Sequence, residues 1–258
     1  MLKNTLSFIL FYLSYRGERM GISIKIWHGV NVTETWSPTI DYSKCTNCTI
    51  CLLACGNKVF SWSNSQNKVV VQVPTNCVLG CTSCLKLCPS EAIYFPEEPK
   101  KFIRKLIVKY KIYTKIKNEL MERLKKYPDR NLKIETAKSV ENPNVEFSNW
   151  HGMERKKISW YPTIDTNKCV GCGLCVVTCG EKRNVFGYDV SNKKAFVLYP
   201  YNCMVGCNNC SVSCMWNAIS FQEFSVVKEV SKKVIKENSE ILKKEVKEKV
   251  KQQNLATA

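Results

Sequence analysis

The fold of this chain is decided by residues 45–55, which read CTNCTICLLAC. Four cysteines stand there with gaps of two, two and three residues, and residues 169–179, CVGCGLCVVTC, repeat the same spacing. A second group of four cysteines follows each of these runs, at 77–88 and at 203–214. All 16 cysteines of the 258-residue chain belong to these four groups. Such tight and complete grouping favours metal binding over isolated reactive thiols.

An internal repeat organises the rest of the chain. The segment WHG at 27–29 recurs at 150–152, and PTID at 38–41 recurs 124 positions later. The second cysteine groups repeat at a distance of 126, so the connection before them absorbs two residues. The sequence is therefore a tandem duplication. We predict an N-terminal extension at 1–23, a first cysteine domain at 24–98, a basic helix and linker at 99–146, a second cysteine domain at 147–224 and a charged C-terminal helix at 225–258.

The first run of each half has the spacing of bacterial-type [4Fe–4S] ferredoxins. Three cysteines of such a run bind one cluster, and the fourth binds the other cluster of the pair. The second run of each half is one residue longer in its first gap, with Gly80 or Gly206 directly before the second cysteine. Because glycine adopts positive φ without strain, we expect a local bulge that keeps the second thiolate on the cluster.

This spacing predicts a crossed pairing of the cysteines and four [4Fe–4S] clusters as cofactors. The predicted ligand sets are Cys45, Cys48, Cys51 with Cys88; Cys77, Cys81, Cys84 with Cys55; Cys169, Cys172, Cys175 with Cys214; and Cys203, Cys207, Cys210 with Cys179.

Zinc and disulfide bonds are the alternative uses of grouped cysteines. Structural zinc sites have two separated Cys-x2-Cys pairs, which is a different pattern. Disulfides require an oxidising compartment. The one candidate signal, the apolar run at 6–13, is far shorter than the roughly 20 residues of a membrane span and lacks a cleavage site. We expect a cytoplasmic chain without a transmembrane segment, and Met20 is the preferred start because the repeated part begins there.

The formal net charge of +17 is concentrated outside the cysteine groups. Residues 99–138 carry fourteen basic and four acidic side chains, and residues 225–258 carry nine and five. Apolar residues recur every three or four positions between Phe102 and Leu124, which predicts one long amphipathic helix, and the tail predicts a second. We expect these helices to pack against their own heads or against each other; docking of a partner is the alternative.

At these cysteines the chain resembles the two-[4Fe–4S] ferredoxin family of bacterial type, and its PTID and WHG segments are similar to archaeal members. The resemblance covers residues 24–98 and 147–224. It implies an α+β fold with two tandem, pseudo-twofold βαββαβ heads. In the first head it implies that 39–41 pairs with 92–94 and that 59–62 forms a hairpin with 69–71.

The resemblance implies a one-electron carrier that serves redox partner proteins and is not an enzyme. We find no dinucleotide-binding glycine motif, no P-loop and no catalytic triad in the sequence. A relay subunit of a larger oxidoreductase, docked through the basic helices, stays open as an alternative. A nucleic-acid-binding iron–sulfur regulator is a weaker one, because no helix-turn-helix accompanies the charge. His28 and His151 are expected to form structural hydrogen bonds, since cysteine fills every ligand position.

Overall fold

The structure is a computed structural model that describes residues 24–134 and 145–255. The predicted N-terminal extension, the preferred start at Met20 and residues 135–144 of the predicted helix and linker at 99–146 lie outside these residues. Within the two described ranges, no helix combines the length and the apolar character that a membrane span requires.

Short antiparallel strand pairs form the β structure. The strands are β1 Lys25–Trp27, β2 Val30–Val32, β3 Thr39–Ile40, β4 Phe60–Ser63, β5 Lys68–Val71, β6 Ile93–Tyr94, β7 Asn149–Trp150, β8 Met153–Glu154, β9 Thr163–Ile164, β10 Phe186–Asp189, β11 Lys194–Val197 and β12 Ile219–Ser220. They pair as β1–β2, β3–β6, β4–β5, β7–β8, β9–β12 and β10–β11. Both strand pairings predicted for the first head are observed, with Thr39 opposite Tyr94 and Phe60 opposite Val71. Together with the helices, they give a mixed α+β fold.

The helices are of two kinds. Short ones of five residues are α1 Ile50–Ala54, α2 Ser83–Leu87, α5 Leu174–Thr178 and α6 Asn209–Ser213. Each contains the third cysteine of its run, and the fourth cysteine follows its last residue directly. Longer helices are α3 Pro99–Lys109, α4 Tyr113–Lys126, α7 Phe224–Glu237 and α8 Ser239–Leu255. The short helices therefore turn the fourth cysteine away from the first three.

The prediction of one long helix after each cysteine domain is wrong. Between α3 and α4, Lys111 adopts a left-handed backbone conformation with φ of 50°. The break places Ile112 in the core and the ring of Tyr113 against Trp216, with 5.3 Å between the ring centroids. Asn238 separates α7 from α8 with φ of −118°, and its side chain donates to the carbonyl oxygen of His151 at 2.8 Å. Apolar periodicity continues across both breaks, which is why the sequence conceals them.

The two long helices that follow one cysteine domain pack on the other cysteine domain. Residues from Trp36 onward form one compact unit, separate from the unit that holds β1 and β2. We call residues 36–98 head 1 and residues 158–223 head 2. The helices α3 and α4 contact α6 and α5 of head 2, whereas α7 and α8 contact α2 and α1 of head 1.

The expectation that these helices pack against their own heads or against each other is therefore corrected, because they pack mainly on the opposite heads. Contacts to the own head remain at the helix starts, where Phe102 lies 4.6 Å from Trp36 and Phe224 lies 5.9 Å from Trp160 between ring centroids. The exchange covers apolar surface on both heads, because each helix pair packs on the head that it does not follow. An apolar stripe shows that a helix face is buried, but it does not show which surface buries it.

Candidate metal centres

Two enclosed cavities, one in each head, are lined by four cysteines. The cavity of head 1 is lined by Cys45, Cys48, Cys51 and Cys88, together with apolar side chains such as Ile40. The corresponding cavity of head 2 is lined by Cys169, Cys172, Cys175 and Cys214. The first residues of α1 or α5 and a residue of β6 or β12, such as Ile50 and Ile93 in head 1, complete the lining. We call these two groups the outer sets.

The thiols of the outer sets are buried or half-buried and are close enough to act on one another. Burial raises the pKa of Cys51, and the neighbouring Cys48, Cys88 and Cys45 raise it further. Without a cation such thiols stay protonated, since thiolates would be both desolvated and mutually repelled. A metal group that binds all four as thiolates removes both penalties, so the donor set fits an iron–sulfur cluster.

The remaining eight cysteines form two further groups, which we call the inner sets. In head 1, burial raises the pKa of Cys84, with added contributions from Cys81, Cys77 and Cys55 of the same set. In head 2, burial raises the pKa of Cys210, and the nearby Cys203, Cys207 and Cys179 act in the same direction. The fourth cysteine of each first run, Cys55 or Cys179, is thus brought to the second run of its own head.

Backbone amides point at cysteine sulfurs in both heads. The N–H of Ala92 donates to the sulfur of Cys88 at 3.3 Å, and the N–H of Ala218 donates to the sulfur of Cys214 at 3.3 Å. Hydrogen bonds of this kind stabilise negative charge on the sulfur and raise the reduction potential of a bound cluster. Their equivalence in the two heads follows from the duplication.

The extra residue in each second run lies where the heads meet. The prediction of positive φ is confirmed, with 74° at Gly80 and 82° at Gly206. A Cβ atom on Gly80 would lie 2.5 Å from Cγ1 of Ile103 and 3.4 Å from Cγ1 of Val212 in head 2. A Cβ on Gly206 would lie 3.0 Å from Cγ of Leu87 in head 1. Glycine is therefore required both for the backbone conformation and for the close approach of the heads.

The inner sets face each other across this junction. Burial raises the pKa of Cys207 to about 12, and the largest contribution from another side chain comes from Cys81 of head 1. Two thiols can affect each other in this way when they are near in space. The junction therefore brings the second cysteine run of one head beside that of the other.

A single lysine is buried in this junction. Lys86 is 3% exposed, and its ammonium donates to the hydroxyl of Thr82 and to Oδ1 of Asn208 in head 2 at 2.7 Å. Among the described residues, no carboxylate lies within ion-pair distance of it. Burial lowers the pKa of Lys86 to about 8, while Cys81, Cys207 and Cys84 oppose that change. This role of Lys86 was not predicted from the sequence, although Lys86 corresponds to Val212 in the other half, which is a visible asymmetry.

Two further cations reach the heads from the exchanged helices. Arg123 of α4 donates to the carbonyl oxygens of Val176 at 3.0 Å and Cys179 at 2.5 Å. Lys249 of α8 donates to the carbonyl oxygen of Cys55 at 2.8 Å. The two side chains stand 126 positions apart and neutralise the carbonyl ends of α5 and α1. The sequence analysis also missed this pair, although its spacing equals that of the second cysteine runs.

The chain matches two family models for iron–sulfur domains. Residues 44–102 match a model described as a 4Fe–4S dicluster domain, and residues 161–185 match a 4Fe–4S binding domain. Both halves carry ferredoxin-type 4Fe–4S domains. The ferredoxin-type family that the cysteine motifs indicated is thereby confirmed, and so is the binding of multiple [4Fe–4S] clusters.

The ferredoxin-type chain is also similar to a protein described as an uncharacterized ferredoxin from Methanocaldococcus jannaschii. The two sequences are 41% identical over 100 residues, which are 34% of this chain and 65% of that protein. The chain thus spans about two thirds of the length of this curated relative.

His151 makes its contacts outside the cysteine sets. Nδ1 of His151 lies 2.5 Å from Oε2 of Glu245 in α8, and its carbonyl oxygen accepts from Asn238. His151 therefore has the structural hydrogen-bonding role that was expected of it. Among the described residues, no three His, Cys, Asp or Glu side chains converge closely enough to ligate a single metal ion.

Proposed function

We propose that this chain is a one-electron carrier that holds four [4Fe–4S] clusters and relays electrons between oxidoreductases. The outer and inner sets are its proposed ligand sets. They are Cys45, Cys48, Cys51 and Cys88; Cys55, Cys77, Cys81 and Cys84; Cys179, Cys203, Cys207 and Cys210; and Cys169, Cys172, Cys175 and Cys214.

The observation that carries this proposal is the continuity of the four sets. Within head 1, Cys51 of the outer set contributes to the raised pKa of Cys84 in the inner set. Cys81 and Cys207 are neighbours across the junction, and Cys175 contributes to the raised pKa of Cys210 within head 2. The four sets therefore form one series from end to end, which is the arrangement that a multi-cluster relay needs.

The chain's own residues prepare these sites for clusters that accept and release one electron each. Apolar side chains such as Ile40 and Ile219 line the outer cavities and exclude water. The amides of Ala92 and Ala218 donate to cysteine sulfurs, and Lys86 brings a buried positive charge to the junction. The N–H donors and the charge of Lys86 favour the reduced, more negative state of a nearby site, whereas the exclusion of water disfavours it.

The packing of α4 and α7 supports a free carrier in preference to a relay subunit that docks through the apolar faces of these helices. Those faces are already buried within the chain, as Ile116, Leu124 and Val234 show with exposures of 1%, 4% and 0%. We propose a cytoplasmic location and redox proteins as partners, without catalytic activity of the chain itself.

Iron and sulfide content tests the number of clusters. Protein purified without oxygen should contain about 16 iron and about 16 acid-labile sulfide per chain, because each [4Fe–4S] cluster holds four of each. EPR spectra of the reduced protein should show magnetic interaction between neighbouring clusters. A content near half of these values would reject cluster binding by the longer second runs, and zinc in place of iron would reject the carrier function.

Pairs of cysteine substitutions test the crossed ligand sets. Cys55→Ala should remove about four irons per chain, the content of one cluster. Adding Cys84→Ala should remove no more iron, because both residues are assigned to the same set. Adding Cys51→Ala instead should remove about eight in total, since two sets are then damaged. If adding Cys51→Ala removed no more iron and adding Cys84→Ala removed about eight in total, each run would hold its own cluster.

A further inference from the structure

A groove with a volume of about 850 Å³ opens in the surface of head 1 beside its outer set. One side of the groove is formed by head 1, with Cys48, Thr49 and Trp62. The other side is formed by helix α8 and the end of α7, whose apolar lining residues are Ile235, Leu242, Val246 and Val250. The groove thus joins solvent to the loop that carries a cysteine of the outer set.

In head 2 the corresponding space is filled by side chains. Helices α4 and α8 correspond at a distance of 126 residues, so Leu120 takes the place of Val246. Thr49 corresponds to Gly173, and a Cβ on Gly173 would lie 2.5 Å from Cδ2 of Leu120. Helix α4 therefore lies directly on the cysteine loop of head 2, where α8 leaves a groove.

An aromatic pair adds to the cover over head 2. Tyr113 and Trp216 pack edge to face with 5.3 Å between their centroids, and Trp216 lines the cavity of the outer set there. The residues at the equivalent places around head 1 are Ser239 of α8 and Ser90. Two large rings in one half thus correspond to two small hydroxyl side chains in the other. The outer set of head 1 is therefore more accessible from the surface than the outer set of head 2.

The charge of the groove points to the chemistry of its occupant. Three exposed lysines, Lys243, Lys247 and Lys251, follow one another at successive turns of α8 along the groove. No Asp or Glu is found among the described residues that line it. An apolar floor with a positive rim is complementary to a protein surface that presents apolar side chains surrounded by carboxylates.

We propose that this groove docks an acidic electron-transfer protein, which exchanges electrons with the chain at the outer set of Cys45, Cys48, Cys51 and Cys88. The inference rests on the proposed carrier function and deepens it by naming the class of partner and the point of contact. One electron passes from the reduced partner to the chain, or back, and no bond forms or breaks. The covered outer set of head 2 then lies at the opposite end of the series.

Matched charge substitutions in the full-length, cluster-loaded protein test the docking. The probe is an acidic flavodoxin in its hydroquinone form, and the rate of electron transfer to the oxidised chain is followed by stopped flow. Lys243→Gln with Lys251→Gln should slow this rate on the order of fivefold at low ionic strength, with convergence to wild type at high salt. Lys117→Gln with Lys125→Gln, at the equivalent places of α4, removes the same net charge and should leave the rate nearly unchanged.

A second pair of variants tests the groove itself. Ser239→Tyr with Val246→Leu introduces the side chains that fill this place in the other half, and it should slow transfer from flavodoxin while reduction by methyl viologen radical stays fast. Equal slowing by both lysine pairs, or an unchanged rate in the filled variant, would overturn the docking. If free FMN inhibits the flavodoxin reaction, the groove binds a small anion and not a protein surface, and the docking proposal is overturned. Iron content and reduction by dithionite are measured on every variant, so loss of the clusters, which would contradict the carrier function, is distinguished from loss of docking.

Discussion

Replacing Gly171 with alanine should remove the outer iron site of head 2 and destabilise the fold by about 3 kcal/mol. Gly171 lies in the loop between the first two cysteines of this set and has φ of 68°. A Cβ atom there would overlap the carbonyl oxygen of Lys193 in the turn between β10 and β11. The loop cannot easily move away, because the hydroxyl of Tyr188 donates to the carbonyl oxygen of Gly171 at 2.6 Å. Backbone atoms meet on both sides, so no rotamer change relieves the overlap.

Gly29→Ala is the matched control for this substitution. Gly29 has a similar φ of 73°, but a Cβ there would meet no atom within 4 Å. Its alanine variant should therefore show only the cost of the left-handed conformation, about 1 kcal/mol, with full iron content. Thermal unfolding and iron per chain are measured for both proteins. If the two variants behave alike, close approach of the turn to Gly171 is not what requires glycine.

Replacing Lys86 with methionine should lower the reduction potentials of the two inner sites by about 100 mV. Lys86 is buried at the junction, and the thiols of Cys81, Cys84 and Cys207 are near enough to act on its ammonium. A positive charge about 7 Å from an added electron, at an effective dielectric constant of about 20, stabilises it by about 2.4 kcal/mol, which corresponds to about 100 mV for one electron. Methionine keeps the length of the side chain and removes the charge. Redox titration followed by EPR measures the change.

Two controls separate the charge of Lys86 from its packing. Lys86→Arg keeps the charge and should shift the potentials much less than methionine does. Lys105→Met removes a lysine whose side chain is 58% exposed and which pairs with Glu97, so screening by water and salt should keep its effect within about 20 mV. Equal shifts from Lys86→Met and Lys105→Met would show that the buried position of Lys86 has no special influence. If the reduction potentials of the two outer sites do not change, the effect of Lys86 is confined to the junction.

The sequence by itself determined the features that depend on local spacing. Cysteine gaps of two, two and three residues predicted iron–sulfur sites, because three closely spaced thiolates can bind one cluster while the fourth reaches the other cluster of the pair. The duplication followed from repeated segments, and the positive φ of Gly80 and Gly206 followed from the extra residue beside them. The pairing of 39–41 with 92–94 came from the family resemblance, and the structure has the same pairing.

Only the tertiary structure decided which surfaces meet. Apolar periodicity continued through Lys111 and Asn238, so the breaks between the long helices and their exchange between the heads were not predicted. The burial of Lys86 depends on the close approach of head 2, so it could not be predicted from the residues around it in the sequence. The groove depends on Val246 where the other half has Leu120, a difference that leaves the helical pattern unchanged. Local spacing fixes local geometry, but long-range packing depends on the shapes of side chains that are far apart in sequence.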